Sequence, residues 1–190
     1  MAFITFQNDK SGFHETTHGS DGRLNVSSRS DSRAYYNSRD QKKMYSLVFD
    51  DAACSADDFN VSLFNDDALL KMVIRSIEVN ALAVASFKLH QVTGAAGGGA
   101  VAATPVNLHL GEADAVVTAS TVVNSDSSPI SSLTSSLVIA HKSVQASGSG
   151  IFFLDDTLRV AKGQGIAIEM DSGANATRVF GTIFFYFERD

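Results

Sequence analysis

Between Met44 and Phe187 the chain is a succession of short apolar or alternating runs, each closed by Asp-Asp, Gly-rich or Ser-rich links. That spacing suits strands and leaves little room for helices. Ten runs can be marked: 44–49 (MYSLVF), 59–64 (FNVSLF), 71–79 (KMVIRSIEV), 85–93 (ASFKLHQVT), 105–110 (PVNLHL), 115–119 (AVVTA), 137–142 (LVIAHK), 151–154 (IFFL), 164–170 (QGIAIEM) and 178–187 (RVFGTIFFYF). In the fourth, Phe87, Leu89 and Gln91 share one face while Lys88 and His90 take the other; in the ninth, Ile166, Ile168 and Met170 oppose Ala167 and Glu169. Both patterns predict half-buried strands of an antiparallel sheet.

The final run differs, because Thr182, Phe184 and Tyr186 alternate with Ile183, Phe185 and Phe187 and neither row is polar. Such a strand needs cover on both sides, from a central place in a sandwich or from another subunit. Phe184, Phe185, Tyr186 and Phe187 are therefore candidate oligomer-interface residues, and together with Phe152-Phe153 they predict an oligomer with a buried apolar interface. Helical periodicity is weak everywhere; its best stretch, 66–72 (DDALLKM), is about two turns and reads equally well as a loop entering a strand. The expected class is all-β, a two-sheet antiparallel sandwich of jelly-roll type, with a single closed barrel as the nearest alternative. No self-similar period suggests a solenoid or propeller. The segments 94–104 (GAAGGGAVAAT) and 124–136 (NSDSSPISSLTSS) read as low-complexity loops that are mobile or are ordered by a partner.

At 190 residues, with 44% hydrophobic and 19% charged, the chain can fill one core and must present a surface more polar than charged. A net charge of −6 argues against nucleic acid and anionic membrane as partners. A lone cysteine, Cys54, excludes an intrachain disulfide and a Cys-cluster zinc site and suits a reducing cytosol. The start, 1–10, lacks the basic-then-apolar pattern of a secretory signal, and no uncharged stretch is long enough for a membrane helix.

Charge is divided unevenly. Residues 1–43 hold seven Lys/Arg against five Asp/Glu, net +2, whereas 44–190 hold eight against sixteen, net −8. The first part is polar and turn-rich and cannot fill a core alone, so it is expected to be an extended N-terminal arm (1–43) ahead of the sandwich domain (44–190). Arg29, Arg33, Tyr35, Tyr36, Arg39, Lys42 and Lys43 are its candidate partner-binding residues, because guanidinium forks and tyrosine rings make planar, directional contacts.

Motifs for chemistry are few. His14-Glu15-Thr16-Thr17-His18 matches H-E-x-x-H, with Asp21 placed for a third ligand, yet zinc chemistry needs those histidines on one helical face. Gly12 and Gly19 bracket the motif and two threonines sit within it, so a chance match is the expectation and no metal is assigned. The pairs Asp50-Asp51, Asp57-Asp58, Asp66-Asp67 and Asp155-Asp156 lie at expected strand ends, where Asp serves turns, and none has the spacing of a calcium loop. There is no G-x-S-x-G elbow, P-loop or dinucleotide fingerprint, and Cys54 has no basic neighbour in sequence. No catalytic residue and no cofactor is expected on these grounds. His90, His109 and His141 fall in expected strands and stay unassigned, and the sequons at Asn25, Asn60 and Asn175 are read as composition.

One ensemble of segments points further: 29–51 (RSDSRAYYNSRDQKKMYSLVFDD), 76–79 (SIEV), 87–94 (FKLHQVTG), 104–108 (TPVNL), 158–173 (LRVAKGQGIAIEMDSG) and 181–188 (GTIFFYFE). Over about residues 23–188 the sequence resembles small virion structural proteins of tailed bacteriophages, related to capsid decoration, or cement, proteins. The resemblance implies a β-sandwich that trimerises, binds the outside of an assembled head and fastens neighbouring subunits of the major capsid protein, a role without an active site. It places the protein on the outer capsid surface after assembly in the host cytoplasm. A tail, baseplate or fibre location, with a glycan-binding role, is the alternative, although Trp is absent and Tyr numbers four. A small metallohydrolase built on His14, Glu15 and His18 is the third reading.

Overall fold

The computed structural model describes residues 7–8, 12–13, 43–122 and 130–189. The chain divides into two units, 1–31 and 32–190. In the first, β1 (Gln7–Asn8) and β2 (Gly12–Phe13) pair antiparallel, Gln7 opposite Phe13.

The second unit holds β3 (Met44–Cys54), β4 (Asp58–Asn65), β5 (Lys71–Ala81), β6 (Ala85–Thr93), β7 (Gly97–Gly98), β8 (Ala100–Ala103), β9 (Val106–Asn107), β10 (Val117–Val122), β11 (Ile130–Ser131), β12 (Thr134–Val144), β13 (Gly148–Val160), β14 (Gly165–Gly173) and β15 (Thr177–Glu188), with no helix among the described residues. They build a six-stranded sheet, β12-β6-β14-β4-β10-β8, and a five-stranded sheet, β13-β5-β15-β3-β9, both antiparallel, while β11 and β7 form a separate pair. Successive long strands alternate between the sheets except from β6 to β12, which pair with each other: β3, β5, β13 and β15 lie in one sheet, β4, β6, β12 and β14 in the other. This is jelly-roll connectivity, in which most links cross the core rather than turn back as hairpins. The segment from β7 to β11 is an insertion between β6 and β12 that lends β8 and β10 to one sheet and β9 to the other.

Local chemistry explains where strands stop. The expected run 105–110 yields only Val106–Asn107, because Asn107 Oδ1 accepts from the His109 N–H at 2.9 Å and its Nδ2 donates to the Ala113 carbonyl at 3.0 Å, bending the chain. At 66–70 there is a loop and not a helix: Asn65 Oδ1 accepts from the Asp67 N–H, and Asp67 Oδ1 accepts from the N–H groups of Leu69 and Leu70. Part of 94–104, expected as a loop, is strand β8, in ladder with β10 from Ala103↔Ala119 to Ala100↔Val122. Backbone pairing orders this Ala-rich piece where side chains offer little. Of 124–136, Ile130–Ser131 pairs with Gly97–Gly98 and 134–136 belong to β12; residues 124–129 lie outside the described residues.

Two of the four Asp-Asp pairs sit at strand ends as expected; the other two do not. Asp50 and Asp51 lie inside β3, where Asp51 is buried and accepts from Asn60 Nδ2 at 3.0 Å and from the Ala53 N–H at 3.0 Å. Asp155 and Asp156 lie inside β13 at a bulge, both with positive φ (43° and 59°), a conformation Asp tolerates better than most residues.

The inner faces of both sheets meet in one core that includes Leu47, Phe49, Ile77, Phe87, Leu89, Ile166, Ile168 and Phe185. Central position gives β15 its two-sided apolar pattern: Val179, Ile183, Phe185 and Phe187 face this core, flanked by β5 and β3. Gly181 is required at its middle, since a Cβ there would collide with the Glu78 carbonyl oxygen and with Phe49 Cζ at 2.6 Å.

Candidate functional site

Alternation puts the even-numbered residues of β15 on the outer face of the five-stranded sheet, and the register aligns them with neighbours across its width. One row reads Phe153, Ser76, Phe184, Ser46, Val106, each directly opposite the next through β13, β5, β15, β3 and β9. The next row reads Ile151, Glu78, Thr182, Val48, and the third Ser149, Asn80, Phe180, Asp50. An outward sheet face normally carries polar residues, yet here Phe153 is 73% exposed, Val48 65%, Val106 52% and Phe180 37%. The Phe180 ring also carries the Arg178 guanidinium 5.6 Å from its centroid. That guanidinium forks onto Asp50 at 2.9 and 2.6 Å, and the carboxylate holds Arg178 above its ordinary pKa.

At one end of the first row the face deepens into a groove of about 680 Å³. Met44, Ser76 and Phe184 line it with Phe153 and Leu108, and Arg75, Asp155 and Asp156 bring charge to it. The groove exists because β13 leaves register with β5 here: Phe153 opposes Ser76, but the next paired residue is Leu158, opposite Ile74. The looped-out 154–157 is closed by the Thr157 hydroxyl donating to the Leu154 carbonyl at 2.6 Å. Mixed aromatic and charged lining of this volume can hold a large partner side chain or a small ligand.

Of the four residues expected at an interface, three are buried within the subunit. Phe185 stacks on Tyr45 at 5.5 Å between centroids, Phe187 meets both edge-on, and Tyr186 is enclosed with Met44 and Val73. Phe184 alone offers surface, half-buried at the centre of the outer row. Val48, Val106 and Phe180 were not singled out by the sequence; alternation about Leu47, Phe49 and Val179 is the signal that would have found Val48 and Phe180, whereas Val106 follows from its pairing with Ser46. Arg29, Arg33, Tyr35, Tyr36, Arg39 and Lys42 lie outside the described residues, as do His14, Glu15 and His18, whereas Lys43 is half-buried immediately before β3.

The outer face of the six-stranded sheet is chemically different. His90 is 6% exposed, its Nδ1 lies 2.6 Å from Ser135 Oγ and its Nε2 2.7 Å from Glu169 Oε2. Phe59 packs edge-on against the ring at 5.4 Å. Asp171 pairs with Lys88 and, at 3.3 Å, with His141; the Lys88 ammonium foremost holds its carboxyl below the usual range. Among the described residues no three His, Cys, Asp or Glu side chains come together as a metal set. Cys54 is buried in the core, and burial above all pushes its thiol up to about 12 even though Asn60 Nδ2 lies 2.8 Å from the sulfur, so it is no nucleophile at neutral pH. Asn60 itself is fully buried, which removes its sequon from use in the folded chain.

Neither a protein-family model, nor a curated protein, nor a solved structure matches this chain.

Proposed function

We propose that this chain is a structural protein of a bacteriophage virion, of the capsid decoration type, which trimerises and binds the major capsid protein on the outside of the head. The assembly role itself requires no catalysis. The observation that carries the reading is the apolar outer face of the five-stranded sheet, centred on Phe184 and flanked by Phe153, Val48, Val106 and Phe180. Exposed aromatic and aliphatic side chains such as Phe153, Val48, Val106 and Phe180, set among polar residues on this face, cost solvation free energy in a monomer and lose that cost on association. The resemblance of residues 23–188 to phage virion proteins supplies the assembly in which such association occurs, and the polar arm supplies a second binding element. Incubating the purified protein with undecorated heads tests the reading: co-sedimentation saturating at a fixed number of copies per head supports it, and absence of sedimentation on heads that bind other decoration proteins removes it.

A tail or fibre location with glycan binding is favoured by one observation, the groove in which Phe153 and Phe184 adjoin Arg75, Asp155 and Asp156. An aromatic platform beside charged hydrogen-bonding groups suits a sugar ring. Binding of immobilised neutral polysaccharide that is lost in Phe153→Ala separates this reading from capsid binding.

A further inference from the structure

The outer face of the six-stranded sheet holds a constellation that no linear motif announces. Ser135 on β12, His90 on β6 and Glu169 on β14 lie 45 and 79 positions apart in sequence and meet around one imidazole, 2.6 Å from the serine oxygen and 2.7 Å from the carboxylate. With the ring neutral, as a general base must be, hydrogen-bonding capacity sets the proton positions. A carboxylate only accepts, so the proton on Nε2 points to Glu169; the neutral ring then has a lone pair at Nδ1, and the Ser135 hydroxyl donates to it. The imidazole is the most buried of the three, with the serine at the surface on one side of it and Glu169 half-buried on the other. Phe64, Val92 and Ala167 form an apolar cluster on this face, with Phe59 and Leu133 packed on it, and apolar surroundings strengthen a polar chain of this kind.

A second observation concerns the backbone. Ser135 is opposite Val92, but Leu137 is opposite Gln91, so Ser136 has no register partner on β6. The residue following a nucleophilic serine is a recurrent source of the oxyanion N–H, and a bulge takes that residue out of the regular ladder. The Ser136 hydroxyl is turned away, donating to the Gln91 carbonyl at 3.3 Å.

We propose that Ser135 is a reactive nucleophile with His90 as its general base and Glu169 as the positioning residue, and that its substrates are small acyl esters able to reach an open sheet surface. The proposal goes beyond assembly and does not rest on it. Oγ of Ser135 bonds to the ester carbonyl carbon while its proton passes to Nδ1 of His90. The bond from that carbon to the leaving alcohol oxygen then breaks, and the alcohol departs with the proton from Nδ1. Water repeats the sequence on the acyl-serine, releasing the carboxylic acid and restoring the hydroxyl. No metal, oxidant or cofactor enters the balance. A serine exposed on a sheet surface suits a short acyl group.

The test treats the full chain with a biotinylated fluorophosphonate and locates the adduct by peptide mass spectrometry, alongside hydrolysis of p-nitrophenyl acetate. The expected result is an adduct on Ser135 that is absent in Ser135→Ala. In His90→Ala, labelling should fall by about a hundredfold or more and be partly restored by added imidazole, as a missing base predicts. Glu169→Gln keeps an acceptor for Nε2–H but removes the charge; it should lower kcat by about tenfold or more with KM and melting temperature unchanged. Should His90→Ala fail to fold, Glu169→Gln still decides. No adduct at Ser135, or an adduct formed at the same rate without His90 or without the Glu169 charge, overturns the proposal and leaves the three residues as a tie between strands.

Discussion

The two outer faces of the sandwich are built by the same alternation and differ in the side chains set at their centres: aromatic on the five-stranded sheet, ionisable and paired on the six-stranded one. On the five-stranded sheet the outward row is Phe153, Ser76, Phe184, Ser46, Val106; on the six-stranded sheet the outward residues include Lys88, His90, Glu169 and Asp171, tied to one another and to Ser135 and His141 across β6, β14 and β12. Inner faces must be apolar in any sandwich, so they say little about use. Outer faces have no such obligation, and the contrast between them shows where the molecule departs from what folding alone asks.

The comparison is broken most severely by acting on the inner side of the same strand. Phe185 and Phe184 are neighbours on β15 facing opposite ways, and Phe185→Ala should cost about 3–5 kcal/mol in folding stability through the cavity it leaves. Scanning calorimetry should register this as a fall of roughly 10 °C or more. Gly181→Ala comes next, since its methyl meets the backbone oxygen of Glu78, which cannot rotate away; a loss of about 1–3 kcal/mol is expected. Phe153→Ser with Phe184→Ser should leave the monomer's melting temperature within a few degrees while weakening self-association, read by sedimentation velocity. The smallest effect belongs to the polar face. Asp171, held below its ordinary 3.8 chiefly by Lys88, contributes stability that is present above that value and is lost as pH falls through its folded pKa. Asp171→Asn should therefore lower the melting temperature slightly at pH 7, less in high salt and not at all at the acid end, because the pair is exposed and screened.

Period-two alternation made the fold legible: nine of the ten expected runs became strands of six or more residues near their expected positions, and the two-sided apolar pattern of 178–187, which asked for cover from a sandwich or from another subunit, belongs to a strand central in its sheet. Alternation reports which residues share a face but not which other strands lie beside them, so the row from Phe153 to Val106 emerges only once register is known. For the same reason Phe185 and Phe187 read as interface residues until the opposite sheet was seen to cover them, and Tyr186 until it proved fully buried beside Met44 and Val73. Side-chain hydrogen bonds at Asn65, Asp67 and Asn107 ended or bent the chain where apolar pattern alone would have continued it. The Ser135, His90 and Glu169 cluster was invisible because its members come from three strands with no local spacing to betray them.

The central claim is that the apolar outer face of the five-stranded sheet is covered by another copy of the chain. Molar mass by light scattering at micromolar concentration, for the full chain and for the Phe153→Ser, Phe184→Ser double variant, tests it most directly. The account predicts a mass three times the 20.2 kDa of one chain for the wild type, stable to added salt because the contact is apolar, and a lower mass for the folded double variant. A wild-type protein that is a monodisperse monomer at that concentration, unaltered by salt, contradicts it.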